Sequence, residues 1–209
     1  MRETLPRGHI TGHTHNQQTQ TGDSNDYAPP FLNTAAAATA GVAATSANAQ
    51  GFLIPEQQLP RIVRIDRDYA TGEIHVEPNN FKLYWVLGPG LAMEYSVGIG
   101  RAGLYESGNF MIQVKKEWPS WTPTPAMIER SPQSYAQFAD GMEGGINNPL
   151  GARALYLFSG NRDTYLRIHG TNAPNTIGSA VSNGCVRLVN SHISDLYNRV
   201  PLNTRAVLH

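Results

Sequence analysis

Residues 154–187 read ALYLFSGNRDTYLRIHGTNAPNTIGSAVSNGCVR, and they indicate both the architecture of the chain and a candidate site. Two apolar runs, residues 154–158 and 165–169, are separated by the turn-forming segment SGNRDT, which predicts two strands. His169 ends the second run, and Cys185, the only cysteine of the chain, follows sixteen residues later. Strand ends that lead into loops commonly carry functional side chains, so we expect both residues to belong to one site.

Similar short apolar runs, separated by Gly, Pro and Asn, continue on both sides of this stretch from residue 61 onward. They are rich in β-branched and aromatic residues, as is typical of strands. The predicted strands are residues 62–65, 73–76, 82–87, 93–97, 111–114, 154–158, 165–169 and 204–208. Many short strands with turns between them predict a mainly β fold, a sandwich or barrel with a few short helices, rather than a doubly wound sheet.

Few helices are predicted. The clearest one has Asn190 or Ser191 as its N-cap and ends at Pro201, because apolar residues between them recur at i, i+3, i+4 and i+7. Shorter helical turns are predicted at residues 125–130 and 176–181.

The composition changes near residue 50. Residues 1–50 are rich in Gln, Thr, Asn, Ala and Gly, and no Lys or Arg lies between Arg7 and Arg61. A segment of this kind cannot bury a core, so a disordered tail is predicted. Residues 51–71 are then a lead-in, and residues 72–209 form the folded domain.

The tail contains a possible export signal. An alanine-rich run at residues 35–44 is followed by Ala47-Asn48-Ala49, which is similar to a secretory signal cleaved after Ala49 and would place the protein in the periplasm or cell envelope. Ala28-Pro29-Pro30 stands where such signals carry basic residues, so an alanine-rich linker is the alternative. The tail also holds three histidines, His9, His13 and His15. We expect them to be solvated rather than to bind a metal, because no folded scaffold holds them.

The overall composition excludes several classes of protein. Lys+Arg and Asp+Glu both total 16, so the formal net charge is zero and a nucleic-acid-binding surface is not expected. No run approaches the roughly 18 consecutive apolar residues of a membrane-spanning helix. A single cysteine excludes disulfides within the monomer, so Cys185 serves either packing or chemistry.

Cys185 and His169 together favour chemistry. A cysteine attacks as its thiolate, and a free thiol has a pKa near ~8.5, so an imidazole must either pair with it or accept its proton. His169 is the predicted base, because we expect His75 on the solvent side of a strand and His192 in an exposed helical turn. Each residue alone has a structural alternative, a buried cysteine and a hydrogen-bonded core histidine.

The residues around Cys185 also have predicted roles. Gly184 allows the backbone to approach a substrate, so that the N–H groups of Gly184 and Cys185 would form an oxyanion hole. Arg187 is expected either to bind a substrate carboxylate in bidentate fashion or to pair with a structural acid.

The segments Ile168-His169-Gly170-Thr171 and Ser182-Asn183-Gly184-Cys185-Val186-Arg187 together resemble the signature of the L,D-transpeptidase (YkuD-type) catalytic domain. That signature is His-Gly-Thr followed by Ser-His-Gly-Cys-Ile/Val-Arg, so Asn183 stands where many members carry histidine. The resemblance covers approximately residues 72–208. Further segments similar to alphaproteobacterial members are WPSWTP (118–123), NPLGARALY (148–156) and DLY (195–197).

The resemblance implies a largely β domain that acts on peptidoglycan stem peptides without a metal or organic cofactor. Cys185 would attack the carbonyl between the third and fourth residues of a stem tetrapeptide and expel the terminal D-alanine. Transfer of the thioester to a diamino acid of a neighbouring stem would form a 3→3 cross-link in cell wall biogenesis and the maintenance of cell shape. His169 would move the proton, oriented by the backbone carbonyl of Gly170.

The resemblance also implies further site residues and a class of inhibitor. The positions expected to line the site are Thr171, Asn172, Ser182, Asn183 and Arg187. Carbapenem-type β-lactams are expected to modify Cys185 covalently.

Two other functions fit the same residues. An L,D-carboxypeptidase or cysteine peptidase would pass the acyl group to water, and a related enzyme would attach envelope proteins to the wall. A scaffold that binds the wall with an inactive site is the alternative of another class.

Overall fold

The computed structural model describes residues 52–66 and 68–209. The predicted disordered tail of residues 1–50, its export signal with cleavage after Ala49 and its three histidines lie outside the described residues.

The described part of the chain contains eleven strands. They are β1 Arg61–Arg64, β2 Ile74–Glu77, β3 Lys82–Gly88, β4 Leu91–Ser96, β5 Ile99–Gly100, β6 Gly108–Glu117, β7 Arg153–Ser159, β8 Arg162–His169, β9 Ala180–Ser182, β10 Val186–Arg187 and β11 Thr204–Leu208. Every strand predicted from the sequence is present within a few residues of its expected bounds, and the mainly β architecture is confirmed.

Nine strands form one mixed sheet in the order β1-β4-β3-β2-β11-β6-β7-β8-β10, and β5 pairs with β9 in a second sheet. Neighbours in the large sheet are antiparallel except for β11 with β2 and β10 with β8, which are parallel. The range predicted as a lead-in contains β1, which pairs with β4 at one edge of the large sheet. At the opposite edge, β10 lies beside β8 and brings the cysteine segment next to the histidine strand.

Helices are few and short. They are α1 Pro125–Arg130, α2 Pro132–Tyr135 and α3 Asn190–Arg199, with 3-10 turns at Glu56–Gln58, Pro78–Asn80, Ala136–Phe138 and Pro174–Thr176. The helix predicted at residues 125–130 is confirmed, with Thr124 Oγ1 accepting the Met127 N–H at 3.3 Å as its N-cap. No helix in residues 52–66 and 68–209 is long and apolar enough to cross a bilayer.

Two details of the helix prediction are wrong. The helical turn predicted at residues 176–181 is instead a 3-10 turn at Pro174–Thr176, because residues 180–182 form β9 and pair with β5, a strand about 80 residues earlier in the chain. Asn190 does not cap α3; the N-cap position is Val189, without a side-chain hydrogen bond. The Asn190 side chain instead accepts the backbone N–H groups of Ala152 at 3.0 Å and Thr171 at 3.2 Å.

A single hydrophobic core lies against the large sheet. Leu83 of β3, Val186 of β10 and Ile193 of α3 are fully buried members of the same cluster. Burial of each such aliphatic side chain contributes about 1.5–3 kcal/mol. Gly98, just after β4, exchanges backbone hydrogen bonds of 2.8 and 2.7 Å with Arg187 in β10, at the far edge of the sheet. The sheet therefore curves around its core as a barrel-like layer.

Two histidines expected at the surface are buried, so that part of the prediction is wrong. His75 is only 3 % exposed, because β2 lies in the interior of the sheet, between β3 and β11, and Tyr69 stacks on its ring at 3.4 Å. His192 is 4 % exposed, and its ring lies 6.4 Å from that of Tyr95 in the core. The alternation of side chains along a strand identifies two faces but does not show whether the second face meets solvent.

Candidate active site

A cavity of about 570 Å³ opens beside the β8–β10 edge of the large sheet, and both Cys185 and His169 line it. In the parallel β8–β10 pair, Arg187 lies opposite His169 and Val186 lies opposite Ile168. Side chains opposite each other in a ladder point to the same face of the sheet. Cys185 immediately precedes β10, so the turn that carries the thiol ends beside the strand that carries the imidazole, and both groups line one cavity.

His169 has a defined orientation. Its Nδ1 lies 2.6 Å from the carbonyl oxygen of Gly170, the group that the family resemblance implies as its orienting partner. A carbonyl only accepts hydrogen bonds, so Nδ1 carries the proton and Nε2 is the basic nitrogen of the neutral ring. Burial lowers the pKa of His169 to about 4, and the positive charges of Arg187 and Arg167 act in the same direction. The ring is therefore neutral at pH 7.

The surroundings of Cys185 favour the protonated thiol over the thiolate. Burial raises the pKa of Cys185, although a backbone hydrogen bond from Arg167 and the charges of Arg167 and Arg187 oppose the shift. The sulfur makes a long contact of 3.9 Å as donor to the Tyr165 carbonyl oxygen, and no hydrogen bond to His169 is formed within the described residues. The sequence allowed either an ion pair or proton transfer during attack, and these pKa directions favour a neutral pair that transfers the proton during attack.

A tight turn holds the cysteine. Ser182 Oγ donates to the Cys185 carbonyl at 2.6 Å and accepts the Gly184 N–H at 3.3 Å. The Gly184 N–H was expected in an oxyanion hole. It instead donates to Ser182 Oγ, and this hydrogen bond helps to hold the turn that carries the thiol. Gly184 has a φ of +122°, and a Cβ atom there would lie 2.9 Å from the Leu104 carbonyl oxygen. Glycine is required at this position by backbone conformation and by packing against Leu104.

A family model described as the L,D-transpeptidase catalytic domain (YkuD) matches residues 71–208. The chain belongs to this family. Two similar curated proteins of Escherichia coli K12 are "Probable L,D-transpeptidase ErfK/SrfK", 38% identical over 117 residues, and "Probable L,D-transpeptidase YbiS", 36% identical over 124 residues. These alignments cover 53% and 58% of this chain but only 35% and 39% of the relatives' own lengths.

Solved structures share the fold. A Brucella melitensis protein is 48% identical with a TM-score of 0.52, covering 72% of this chain and 93% of that chain, and its printed name is "Probable carnitine operon oxidoreductase caia". The Ldtfm-avibactam carbamoyl enzyme is 16% identical with a TM-score of 0.51, covering 68% of this chain and 49% of that chain. At that identity the second similarity shows the fold alone.

Arg187 lines the cavity of this L,D-transpeptidase family member beside His169. Its Nε and Nη2 atoms are buried, and neither has a hydrogen-bond partner in the described part of the chain. Burial lowers the pKa of Arg187, and the nearby Cys185 opposes that shift. Of the two roles expected for Arg187, pairing with a structural acid has no support among the described residues.

Two expected site residues support the loop after His169. Thr171 is 2 % exposed, and its Oγ1 accepts the Ala173 N–H at 3.0 Å within the loop. It is not among the residues that line the cavity, in contrast to the prediction. Asn172 does line the cavity, and its amide donates to the Asn147 carbonyl at 2.8 Å.

Arg167 lines the cavity as well, and sequence reasoning did not identify it as a site residue. Its guanidinium binds both carboxylate oxygens of Asp163, at 2.6 and 2.8 Å, and lies 3.9 Å above the Tyr156 ring. Tyr165, between them, has a φ of +63° and is 72 % exposed. Residues four apart in a regular strand are too far apart for this ion pair. Only the irregular β7–β8 register permits it, and no sequence signal marks that irregularity.

Asn183 joins two sides of the cavity. Its Oδ1 accepts hydrogen bonds from Arg101 Nη2 and Arg130 Nη2, each at 3.2 Å, and its Nδ2 donates to the Tyr135 hydroxyl at 2.9 Å. Arg101 follows β5, whereas Arg130 and Tyr135 belong to α1 and α2, which lie between β6 and β7 in the chain. The cavity therefore has a polar border built from segments that are distant in sequence.

Proposed function

We propose that this protein is a cysteine-dependent L,D-transpeptidase that acts on peptidoglycan stem peptides in the bacterial cell envelope. The observation that supports it best is the position of His169. Its Nδ1 is held 2.6 Å from the Gly170 carbonyl oxygen, and its ring lines the same cavity as the only cysteine of the chain. The backbone thus orients the ring through Nδ1, and in the proposed reaction Nε2 serves as the base for the thiol that shares the cavity.

The reaction begins from a neutral pair. As Sγ of Cys185 attacks the scissile carbonyl, Nε2 of His169 accepts the thiol proton and a carbon–sulfur bond forms. The Cys185 N–H donates to the resulting oxyanion, because the Gly184 N–H is directed at Ser182 Oγ. Collapse breaks the carbon–nitrogen bond, His169 returns the proton to the leaving amine, and a thioester remains.

The acceptor completes the transfer. An amine of a neighbouring stem peptide attacks the thioester, His169 takes its proton, and the carbon–sulfur bond breaks to regenerate the thiol. With the side-chain amine of a diamino acid as acceptor, the product is the 3→3 cross-link that the family resemblance implies, formed in cell wall biogenesis and the maintenance of cell shape. This reaction occurs in the periplasm, after export of the chain.

Hydrolysis is the second candidate. Cys185 is only partly buried, so solvent reaches the thiol side of the cavity. Water can therefore compete with an amine to accept the acyl group of the thioester. An L,D-carboxypeptidase would release tripeptide stems without forming dimers.

Mass spectrometry of muropeptides tests the proposal. Peptidoglycan treated with the pure protein is expected to contain 3→3 cross-linked dimers, which must be absent with Cys185→Ala. Tripeptide stems without new dimers would identify a carboxypeptidase. If neither product forms, the enzymatic proposal fails and the wall-binding scaffold remains.

A β-lactam provides an independent measurement of the nucleophile. The structural neighbour Ldtfm is described as an avibactam carbamoyl enzyme, so its site accepts a covalent adduct. A carbapenem is expected to add its mass to Cys185 of this chain. The Cys185→Ala variant, with the same fold and no sulfur, is the matched control and must remain unmodified.

A further inference from the structure

The cavity border contains more positive charge than the proposed chemistry requires. The charged side chains that line the cavity are Arg130, Arg167, Arg187 and Glu106. Arg167 is neutralised by Asp163, as described above. In the described residues no carboxylate forms an ion pair with Arg101 or Arg130, so their charges are compensated only by solvent.

The two guanidiniums share one neutral acceptor. Nη2 of Arg101 and Nη2 of Arg130 are both 3.2 Å from Asn183 Oδ1, so they lie within twice that distance of each other. Like charges at such a separation repel each other, and an anion placed between them would relieve the repulsion and gain attraction from both. Arginine forks match the two oxygens of a carboxylate in geometry.

The arrangement is held in place on three sides. The Arg101 backbone N–H donates to the Ser182 carbonyl at 3.1 Å, which ties its loop to the residue before Asn183. Arg130 ends α1, and the Tyr135 hydroxyl accepts from Asn183 Nδ2 at 2.9 Å, which orients the amide with its oxygen toward both arginines. The neutral amide tolerates two cations, whereas a protonated imidazole at the same position would not.

The short distance along the chain between Asn183 and Cys185 indicates which anion would fit between the two arginines. Asn183 lies two residues before Cys185, so their Cα atoms are at most about 7 Å apart. In a peptide donor, the carboxylate carbon of the residue after the scissile bond is about 3–4 Å from the attacked carbonyl carbon. A carboxylate one residue beyond the scissile bond is therefore within reach of guanidiniums that contact Asn183.

We propose that Arg101 and Arg130, oriented by Asn183, form a subsite for the free C-terminal carboxylate of the acyl donor. This inference rests on the proposed function for the identity of the donor. The arginines act as specificity-determining residues: they select stems that end in a free carboxylate immediately after the scissile bond.

Paired donors test this subsite. Synthetic stem tetrapeptides that end in D-alanine carboxylate or D-alanine carboxamide are compared with the wild type, Arg101→Gln, Arg130→Gln and the double variant, and release of the terminal residue is followed. In the double variant, KM for the carboxylate donor is expected to rise about tenfold with kcat within about twofold, as for loss of a charge-assisted hydrogen bond. KM for the carboxamide donor is expected to remain unchanged.

A control and a third donor sharpen the measurement. Arg162→Gln removes the same charge from an exposed position at the start of β8, outside the cavity, and is expected to leave both KM values unchanged. A donor amidated on the side-chain carboxylate of its diamino acid is expected to behave as the unmodified donor. Equal KM increases for the carboxylate and carboxamide donors in the double variant would overturn the proposal. So would a KM that the double substitution raises only for donors with a free carboxylate on the diamino acid side chain.

Binding to Cys185→Ala separates this subsite from the enzymatic proposal. Titration of that variant with both tetrapeptides measures affinity without turnover, and the carboxylate form is expected to bind about tenfold more tightly. The difference must disappear when Arg101→Gln and Arg130→Gln are added. If the wild type fails to release D-alanine, the proposed function fails while the titration still decides the subsite; equal affinities for the two forms refute the subsite even in an active enzyme.

Discussion

His169 and His75 are both buried in strands of the same sheet, yet their surroundings are opposite in kind. Both nitrogens of His75 have partners: Nδ1 lies 3.0 Å from His209 Nε2, and Nε2 lies 3.0 Å from Glu73 Oε2. His169 is fixed through Nδ1 to the Gly170 carbonyl, and its ring borders the cavity that contains Cys185. The imidazole of His75 is held by side chains on both nitrogens, whereas that of His169 is the proposed base for Cys185.

The comparison shows why burial alone does not identify a catalytic histidine. Burial lowers the pKa of both His75 and His169, so neither the direction of the shift nor its main cause separates them. What differs is that His169 lines the same cavity as the Cys185 thiol, whereas His75 does not line that cavity. The following predictions test this difference, from the largest effect to the smallest.

Replacing each histidine separately should have different effects on acylation. His169→Ala is expected to slow acylation by ~10²-fold or more, because a general acid–base group is lost. His75→Ala, the matched control, should leave the acylation rate within about twofold while lowering the melting temperature. Both rates are measured from the time course of adduct formation by mass spectrometry. Near-normal acylation by His169→Ala would show that another group is the base.

The pH dependence of kcat/KM distinguishes a neutral pair from an ion pair. Because the pKa of His169 is lowered to about 4, the base is expected to remain active down to that pH, with the rate falling about tenfold per pH unit below it. An imidazolium–thiolate pair would instead lose activity on the alkaline side, as the imidazolium lost its proton near or above neutral pH. A pH–rate profile from pH 3.5 to 9 separates the two cases, provided that folding is monitored in parallel by circular dichroism.

The same titration affects stability. The unfolded imidazole has a pKa near ~6.5, so between that pH and about 4 the unfolded state binds more protons at this position than the folded state. The contribution of His169 to the unfolding free energy is therefore fully present above pH ~6.5 and is lost as the pH falls toward 4. Urea midpoints at pH 7 and 4.5 should differ more for the wild type than for His169→Gln. Equal differences would mean that the folded pKa of His169 is not lowered.

The backbone conformation of the turn that carries Cys185 is a further feature of the region around His169. Gly184→Ala is expected to lose about 1–3 kcal/mol of unfolding free energy, because a Cβ must be accommodated at φ +122° beside the Leu104 carbonyl. Gly160→Ala is the matched control, with a φ of +58° and no atom near its Cβ, and should lose less. Chemical denaturation measures both variants. A similar loss in the two would show that contact with Leu104 contributes little.

The smallest expected effect concerns His75. Glu73→Gln removes the carboxylate that binds His75 at 3.0 Å and Arg205 at 2.7 Å, and should cost about 1 kcal/mol. Acylation should not change, since this cluster does not border the cavity. A substantial change in the acylation rate would mean that the two regions are coupled and that the comparison between them is too simple.

Several expectations depended on local pattern alone and were met. The strand at residues 204–208, the helix at residues 125–130 and the family resemblance all rest on short segments whose residues carry the signal themselves. The residues that were assigned wrongly depend on contacts outside their own segment. Alternation along the strand predicts that His75 faces solvent, but its ring is covered by Tyr69, six residues earlier, and by His209, 134 residues later, and the alternation reveals neither contact.

The sequence by itself determined the mainly β architecture, the family and the candidate pair of Cys185 and His169, because period-two apolar runs and a contiguous motif are local properties. Only the tertiary structure decided that burial shifts the pKa values of both groups toward their neutral forms, that Thr171 does not line the cavity and that Arg101 meets Arg130 at Asn183. Those facts depend on desolvation and on contacts between segments far apart in the chain. Such contacts follow from strand register and loop packing, which no residue specifies alone.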